Sequence, residues 1–328
     1  MRAMVLRRPK TPLVLEERPD PNPGLGEIRV RVSACGVCRT DLHLVDGDLP
    51  PHRAAIFPGH EVVGRVDALG GGADPALLGA RVGVPWLGHA CGHCPYCESG
   101  AENLCDAPAF TGWDRDGGFA THVIADAAFA VSLDGLHLDD LTAAPLMCAG
   151  LIGWRSLVRA GDGRALGLYG FGAAAHILAQ IAVHQERRVY AFTRPGDVEA
   201  QAFARSVGCL WAGGSDAVPP EPLDAAIIFA PVGDLVPQAL KVVRKGGRVV
   251  CGGIHMSDIP AFPYSLLWQE REVVSVANLT RTDARDFLRA ASEARPRIEV
   301  RVYPLEDANR ALDDLRAGRF SGAAVLVP

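Results

Sequence analysis

Four cysteines in one short stretch could together hold a metal ion. Cys91, Cys94, Cys97 and Cys105 follow the spacing C-x2-C-x2-C-x7-C. Four thiolates complete a tetrahedral shell and leave no position for a substrate, which is typical of a structural zinc site. Iron–sulfur clusters use another spacing before the fourth cysteine. A nucleic-acid-binding zinc ribbon would carry basic residues, which this stretch lacks. The spacing therefore predicts structural zinc.

A second set of possible ligands is scattered along the chain. Two cysteines and one histidine form an open zinc shell that keeps one position for a substrate, and Cys38, His60 and Cys148 could supply it. Each of the three also fits an ordinary packing role, and their spacing alone does not bring them together. Polar neighbours in the segments CGVCRTDLH and PGHEVVG favour the metal hypothesis: Thr40, Asp41, His43 and Glu61.

A glycine-rich turn between a predicted strand and a predicted helix could bind a dinucleotide. The turn fits the pattern G-x-G-x-x-(G/A) with Gly170, Gly172, Ala173, Ala174 and Ala175. The first glycine permits a tight turn, and the second lets the backbone approach a pyrophosphate at the helix N-terminus. The same pattern also occurs as a packing device, so the surrounding strand–helix alternation carries the prediction.

The end of the next strand bears on the choice of dinucleotide. NAD-binding sites usually have an acid there that holds the ribose 2′-hydroxyl. Here the strand ends at Thr193 and Arg194, and the nearest carboxylate is Asp197, beyond a Pro-Gly turn. A hydroxyl followed by arginine could accept a 2′-phosphate, although Arg194 also fits a plain solvated loop. The pattern slightly favours NADP over NAD.

Two kinds of sequence pattern surround these candidates. Short β-branched runs broken by turn residues fill residues 1–149 and indicate a β-rich unit. Strands and helices alternate over 150–285, which is typical of a doubly wound parallel sheet. In that region LVPQALKVVRKGG is interpreted as a helix. Residues 286–328 have a strand–helix–strand pattern and are expected to rejoin the first unit, whose four-cysteine lobe spans 88–106.

Length and charge narrow the possible classes of protein. The 328 residues predict two domains, and 33 basic against 38 acidic residues leave a net charge of −5. That balance disfavours nucleic acid or an anionic membrane as partner. No apolar run is long enough to span a bilayer and no secretory signal is evident, so a cytoplasmic location is expected. In a reducing compartment, the nine cysteines point to metal binding and core packing rather than disulfides.

These motifs together resemble the zinc-dependent alcohol dehydrogenase family of the medium-chain dehydrogenases. The resemblance covers nearly the whole chain and is most specific at GHEVVGRVDALGGG (59–72), CGVCRTDLH (35–43) and the four-cysteine lobe. Around the lobe the sequence is similar to the tetrameric microbial branch typified by the yeast enzymes. The resemblance implies a GroES-like β-rich catalytic domain and a Rossmann-type domain.

The resemblance also implies roles at the metal centre. Cys38, His60 and Cys148 match the ligands of the catalytic zinc. Thr40 matches the hydroxyl that bonds the substrate alcohol, and His43 matches the outer end of a proton relay to solvent.

Five further positions match supporting residues of the family. Asp41 matches the acid that orients the histidine ligand, and Glu61 matches an acid just behind the metal. Arg39 matches a basic residue that reaches the cofactor pyrophosphate. Trp86 and Trp113 match aromatic walls of the substrate pocket.

The function expected from residues and resemblance is reversible oxidation of an alcohol to an aldehyde or ketone with NAD(P). Two zinc ions per chain are expected, one catalytic and one structural, in a homodimer or homotetramer. An aldehyde reductase or a polyol- or formaldehyde-type dehydrogenase of the same superfamily is an alternative. A non-catalytic binding protein that retains the fold is a second alternative.

Overall fold

The computed structural model describes residues 1–328. Its strands are β1 (Arg2–Val5), β2 (Val14–Glu17), β3 (Glu27–Val37), β4 (Glu61–Leu69), β5 (Arg81–Val84), β6 (Leu87–His89), β7 (Ala109–Phe110), β8 (His122–Asp126), β9 (Val131–Ser132), β10 (Ala165–Tyr169), β11 (Arg188–Thr193), β12 (Trp211–Gly214), β13 (Leu223–Ile228), β14 (Val243–Cys251), β15 (Glu272–Ser275), β16 (Val300–Pro304) and β17 (Ala323–Val327).

The α-helices are α1 (Arg39–Asp46), α2 (Pro95–Glu98), α3 (Asp140–Ala143), α4 (Ala149–Ala160), α5 (Ala173–His184), α6 (Val198–Ser206), α7 (Leu235–Val242), α8 (Arg281–Ala294) and α9 (Ala308–Ala317). Short 3-10 helices cover Pro75–Leu77, Glu102–Leu104, Ala144–Met147, Tyr264–Leu266 and Leu305–Asp307.

The chain divides into two units. The first contains Met1–Ala149, Asn278–Ser292 and Glu299–Pro328, and the second contains Gly150–Ala277 and Glu293–Ile298. The boundary expected at residue 286 falls inside α8. Two hydrogen bonds show why α8 begins in the first unit: the Glu102 carboxylate accepts the backbone N–H of Arg281 at 3.0 Å and its Nε–H at 3.2 Å.

The first unit is built on a seven-stranded sheet with the order β16-β17-β3-β4-β5-β9, in which β8 also pairs with β3. Alternate side chains of β3, such as Ile28, Val30 and Val32, are buried in one apolar core. This alternation is typical of a sheet with one face against the core. Strand β17 pairs antiparallel with β3, so the C-terminal segment belongs to the β-rich unit.

The second unit is a six-stranded parallel sheet with the order β12-β11-β10-β13-β14-β15. Counted within the unit, this is the order 3-2-1-4-5-6 of a doubly wound dinucleotide-binding fold. Leu166 and Leu168 of β10 face one core with α5 and α6, whereas Ala165 and Tyr169 face another with α7. The predicted fold class is therefore confirmed.

One expected helix is shorter than its sequence pattern indicated. Within LVPQALKVVRKGG, α7 ends at Val242 and β14 begins at Val243. Val243 is buried and pairs with Leu223 of β13. The β-branched pair Val242-Val243 favours a strand, and sheet pairing outweighs the helical periodicity there.

No single helix is both long and apolar enough to cross a membrane. One bent pair of helical segments, Asp140–Met147 with Ala149–Ala160, meets that test by length and composition alone.

Candidate active site

The metal centre begins where β3 ends and α1 starts. Cys38 is the N-cap residue of α1, with an extended backbone (φ −106°, ψ 161°). Its sulfur accepts the backbone N–H of Asp41, and the Asp41 carboxylate accepts the backbone N–H of Cys38 at 2.8 Å. This reciprocal capping satisfies two N–H groups at the helix start. It also fixes the direction of the Cys38 side chain.

Cys38, His60 and Cys148 converge although they are far apart in sequence. Their ligand atoms and a carboxylate oxygen of Glu61 all lie within 4.8 Å of one another, and the two cysteine sulfurs are 3.8 Å apart. His60 is fully buried, and neither of its ring nitrogens has a hydrogen-bond partner. A buried polar nitrogen without a partner is costly, and a metal ion would satisfy it. Two sulfurs and one imidazole therefore fit zinc.

Asp41 lies directly behind His60 in this centre. Its fully buried carboxylate accepts the backbone N–H of Gly59 at 3.0 Å and lies 3.4 Å from His60 Nδ1. Burial by itself lowers the pKa of His60, but the nearby negative charge of Asp41 outweighs it and raises that pKa well above its ordinary value. A carboxylate behind a ligating imidazole fixes the ring orientation and leaves the other nitrogen for the metal.

Glu61 lies beside the ligands because Gly36 leaves room for it. The two residues are direct partners in the β3–β4 register. A Cβ added at Gly36 would lie 1.8 Å from a carboxylate oxygen of Glu61 and 2.8 Å from its Cβ. Burial, followed by the charge on Cys38, raises the pKa of Glu61 well above its ordinary value. The sequence reasoning missed the role of Gly36, which depends on a contact between strands.

The two thiols of the centre shift each other's pKa. The hydrogen bond from Cys148 holds the pKa of Cys38 well below its ordinary value. The same contact and burial raise the pKa of Cys148. Zinc binds cysteine as the thiolate, so metal binding would release the protons that the two sulfurs still hold.

Aromatic rings cover the same centre. Trp86 is buried and meets the His60 ring edge-on, with centroids 4.9 Å apart. Trp113 stacks with Trp86 at 5.8 Å and an interplanar angle of 21°. Phe110, which the sequence did not single out, stacks with both at 5.1 Å and 5.8 Å. Trp86, Phe110 and Trp113 are called the aromatic wall below.

The candidate relay residues occupy α1. The buried Thr40 hydroxyl lies 3.8 Å from the Cys38 sulfur. His43 is half-buried, and its Nδ1 lies 2.8 Å from the Asp48 carboxylate in the following turn. Arg39 is exposed at the first position of α1. These placements put a hydroxyl beside the metal ligands and a partly solvated imidazole on the same helix.

The four-cysteine lobe forms a second, closed group. The sulfurs of Cys91, Cys94, Cys97 and Cys105 all lie within 4.8 Å of one another. Cys105 accepts backbone N–H groups of Cys91 and Ala107 at 3.2 Å and 3.3 Å. Backbone N–H groups of Asp106 and Cys97 lower the pKa of Cys94 to about 6. Four sulfurs around one point fit a structural zinc ion with no open position.

The glycine-rich turn joins β10 to α5 in the second unit. Gly170 has φ +86°, and an added Cβ would lie 2.9 Å from the backbone nitrogen of Ala230, so glycine is required there. Gly172 is the N-cap of α5 and has open space around it. The backbone N–H groups of the first helical turn, Ala173–Ala175, have the geometry that binds phosphate groups.

Comparison with known proteins identifies a matching family and related sequences. Residues 24–135 match the family described as "Alcohol dehydrogenase GroES-like domain". A Mycobacterium tuberculosis protein named "Probable alcohol dehydrogenase AdhA" is 48% identical over 315 residues, which are 94% of this chain and 90% of that protein. An alcohol dehydrogenase of Geobacillus stearothermophilus is 34% identical over 99% of both chains.

The chain belongs to the zinc-containing medium-chain alcohol dehydrogenase family. A solved relative agrees with this assignment. The "cobalt and zinc bound thermostable alcohol dehydrogenase from Pyrobaculum aerophilum" superposes with a TM-score of 0.90 at 26% identity, covering 100% of this chain and 99% of that one. The resemblance seen in the sequence motifs is therefore confirmed.

Local hydrogen bonds fix the residues at the end of β11. The buried Thr193 hydroxyl lies 3.0 Å from the Arg194 carbonyl and accepts from the Gln201 amide at 3.2 Å. The Asp197 carboxylate accepts the backbone N–H of Ala200 at 3.0 Å and caps α6. Arg194 is exposed. Asp197 is thus engaged in capping a helix, and Arg194 faces solvent.

Proposed function

We propose that the protein is an NAD(P)-dependent alcohol dehydrogenase that interconverts an alcohol with an aldehyde or ketone. The convergence of Cys38, His60 and Cys148 on an open ligand set carries the proposal. Relatives at 48% and 34% identity along nearly the whole chain are named alcohol dehydrogenases. The aromatic wall beside His60 offers an apolar surface for the carbon part of an alcohol.

Each residue of the centre has a defined task. Cys38, His60 and Cys148 would hold the zinc ion, with Glu61 adjoining them. When bound, zinc supplies Lewis-acid chemistry, which lowers the pKa of an alcohol hydroxyl. Asp41 keeps the His60 imidazole in place, and the buried Trp86 ring shields it from water.

The hydroxyl proton leaves through α1. Thr40 Oγ1, next to the Cys38 sulfur, accepts the hydrogen bond of the alcohol and passes the proton toward His43. Imidazole suits the outer position because it titrates near neutral pH. The Asp48 carboxylate lies 2.8 Å from Nδ1 of that ring and fixes its orientation. Arg39 remains a predicted contact of the cofactor pyrophosphate.

The glycine-rich turn would hold the dinucleotide, with its pyrophosphate at the N-terminus of α5. NADP is favoured slightly over NAD, because Arg194 is exposed directly after the end of β11 and Asp197 caps α6. Arginine binds a phosphate through two parallel hydrogen bonds. Solved proteins of this fold differ here: an acetophenone reductase from Geotrichum candidum is in complex with NAD, whereas a zinc-binding dehydrogenase from Sinorhizobium meliloti is bound to NADP.

Self-association through the second unit is also proposed. Strand β15 lies at the edge of the six-stranded sheet. Tyr264 and Trp268, shortly before it in sequence, are 70% and 56% exposed. Edge strands and exposed aromatic residues are typical of contact surfaces. Sedimentation equilibrium of the wild type and of Trp268→Ser would test a dimer or tetramer, and a wild-type monomer would contradict it.

The function is tested with the zinc-loaded protein, a panel of alcohols and aldehydes, and both cofactors. Reduced nicotinamide absorbance reports turnover in either direction. The substrates that are turned over distinguish an alcohol dehydrogenase from an aldehyde reductase and from a polyol- or formaldehyde-type enzyme. A binding protein would turn over none of them. Cys148→Ser is expected to abolish turnover and to lower the zinc content from two ions to one. Cys209→Ala, which alters a core cysteine, is the control and should retain both.

No turnover with any substrate in the panel would contradict the proposal. Full zinc content and activity in Cys148→Ser would show that the ligand set is wrong.

A further inference from the structure

The exposed His52 contacts one ring of the aromatic wall. The His52 ring stacks on Trp113, with centroids 4.1 Å apart and an interplanar angle of 21°. Its Nδ1 lies 2.6 Å from the Asp114 carboxylate. His52 therefore makes a ring contact and a polar contact with two consecutive residues of the segment that carries Trp113.

The same segment contacts the loop 47–60, which carries His52, at other points. Trp113 Nε1 donates to the Pro50 carbonyl at 2.9 Å. The second oxygen of Asp114 accepts the backbone N–H of Phe110 at 2.8 Å, so the carboxylate that holds His52 is itself held. Asp48, at the start of this loop, contacts His43 of the candidate relay.

Ring contacts connect this exposed histidine to the metal centre. His52 stacks on Trp113, Trp113 stacks with Trp86, and Trp86 meets the buried His60 edge-on. The ring planes differ by 21° between His52 and Trp113 and by 21° between Trp113 and Trp86. Offset stacked rings attract one another. Removing His52 would leave the Trp113 ring with fewer contacts that hold it in place.

We propose that His52 is a specificity-determining positioning residue, which holds Trp113 in place and thereby favours flat aromatic alcohols over small aliphatic ones. The inference rests on the proposed function. A wall ring that is already fixed loses little freedom when a substrate ring stacks near it, whereas a mobile ring must first be ordered. A small alcohol such as ethanol depends on the metal ligands and gains little from Trp113.

The test compares benzyl alcohol with ethanol in four variants. His52→Ala removes the stack and the polar contact, His52→Phe restores a ring, and His52→Gln keeps a polar side chain without one. His137→Ala replaces an exposed histidine of the same unit and is the matched control. In His52→Ala the KM for benzyl alcohol should rise roughly two- to tenfold, as expected for the loss of one stacked pair. The kcat and the kinetics with ethanol should change little.

His52→Phe should recover the benzyl-to-ethanol ratio of kcat/KM, and His52→Gln should not. A ratio in His52→Ala equal to that of His137→Ala would overturn the inference. An equal loss for both alcohols, or no recovery in His52→Phe, would also overturn it, because either result indicates a merely structural role.

The dissociation constant of benzyl alcohol, measured by ligand-observed NMR on the zinc-loaded protein, separates this inference from the proposed function. It should rise by the same factor in His52→Ala even if no alcohol is turned over. An unchanged dissociation constant would refute the role of His52 and leave the proposed reaction standing.

Discussion

Replacing Asp41 by asparagine perturbs the metal centre while preserving shape. The carboxylate has one oxygen toward the backbone N–H of Cys38, at 2.8 Å, and the other toward Gly59, at 3.0 Å, and His60 Nδ1. Asparagine has only one acceptor oxygen. Whichever way the amide turns, its NH2 group faces an N–H donor.

The expected cost follows from these contacts. Asp41 is fully buried, so water cannot replace the lost acceptor. Losing a charged hydrogen bond and leaving a buried donor unsatisfied costs about 3 kcal/mol. A weakened hold on His60 should also lower zinc affinity by about 10- to 100-fold, the usual effect of altering a group behind a metal ligand.

Two measurements test this prediction. Denaturant unfolding gives the loss of stability, and zinc content after dialysis against a graded chelator series gives the loss of affinity. Asp314→Asn is the control: Asp314 is also a buried carboxylate of the first unit, hydrogen-bonded to Tyr303 and Arg319 far along the chain from the ligands. Asp41→Asn should lose one zinc ion at lower chelator concentration than Asp314→Asn. Identical zinc retention in the two variants would refute the orienting role.

Three further predictions follow from single contacts. Gly36→Ala should destabilise the fold by about 1–3 kcal/mol through overpacking against Glu61, measured by denaturant unfolding; Gly71→Ala, whose Cβ would meet only Leu25 at 3.6 Å, is the control, and equal losses would contradict the contact. Arg194→Ala should lower the NADP-to-NAD ratio of kcat/KM by about tenfold, the loss of one charge-assisted contact, and an unchanged ratio would remove the argument for NADP. Burial raises the pKa of Cys209 to about 12, whereas the thiol of an unfolded chain has a pKa of about 8.5. The folded state therefore keeps its proton to higher pH than the unfolded state. The free energy of unfolding should fall above about pH 8.5, by up to about 1.4 kcal/mol per pH unit until about pH 12. Unfolding curves of Cys209→Ala across that range should show a shallower decline, and an equally steep one would exclude Cys209 as its source.

Features that depend on neighbouring residues could be predicted from the sequence. The four cysteines of the lobe lie within one short stretch, so their spacing already implied a common ion, and the structure brings them together. The turn Gly170–Gly172 could be recognised because a glycine at positive φ and a helix start are properties of neighbouring residues. Strand–helix alternation likewise predicted the parallel sheet, since each period reflects the geometry of one element.

Contacts between paired strands could not be predicted in the same way. The space that Gly36 leaves for Glu61 depends on the β3–β4 register. The extra strand length of β14 depends on pairing with β13. Neither leaves a periodic signal in its own segment, because the deciding contacts come from residues far along the chain.

Sequence alone determined which residue types were available: thiols and an imidazole for a metal, a hydroxyl and a histidine on one helix, and tryptophans upstream and downstream of the lobe. Only the tertiary structure decided that Cys38, His60 and Cys148 share one point, that Asp41 stands behind the histidine, and that His52 stacks on the outer ring of the aromatic wall. The physical reason is that metal coordination and ring stacking act over a few ångströms in space. Sequence patterns report only the geometry of neighbours along the chain.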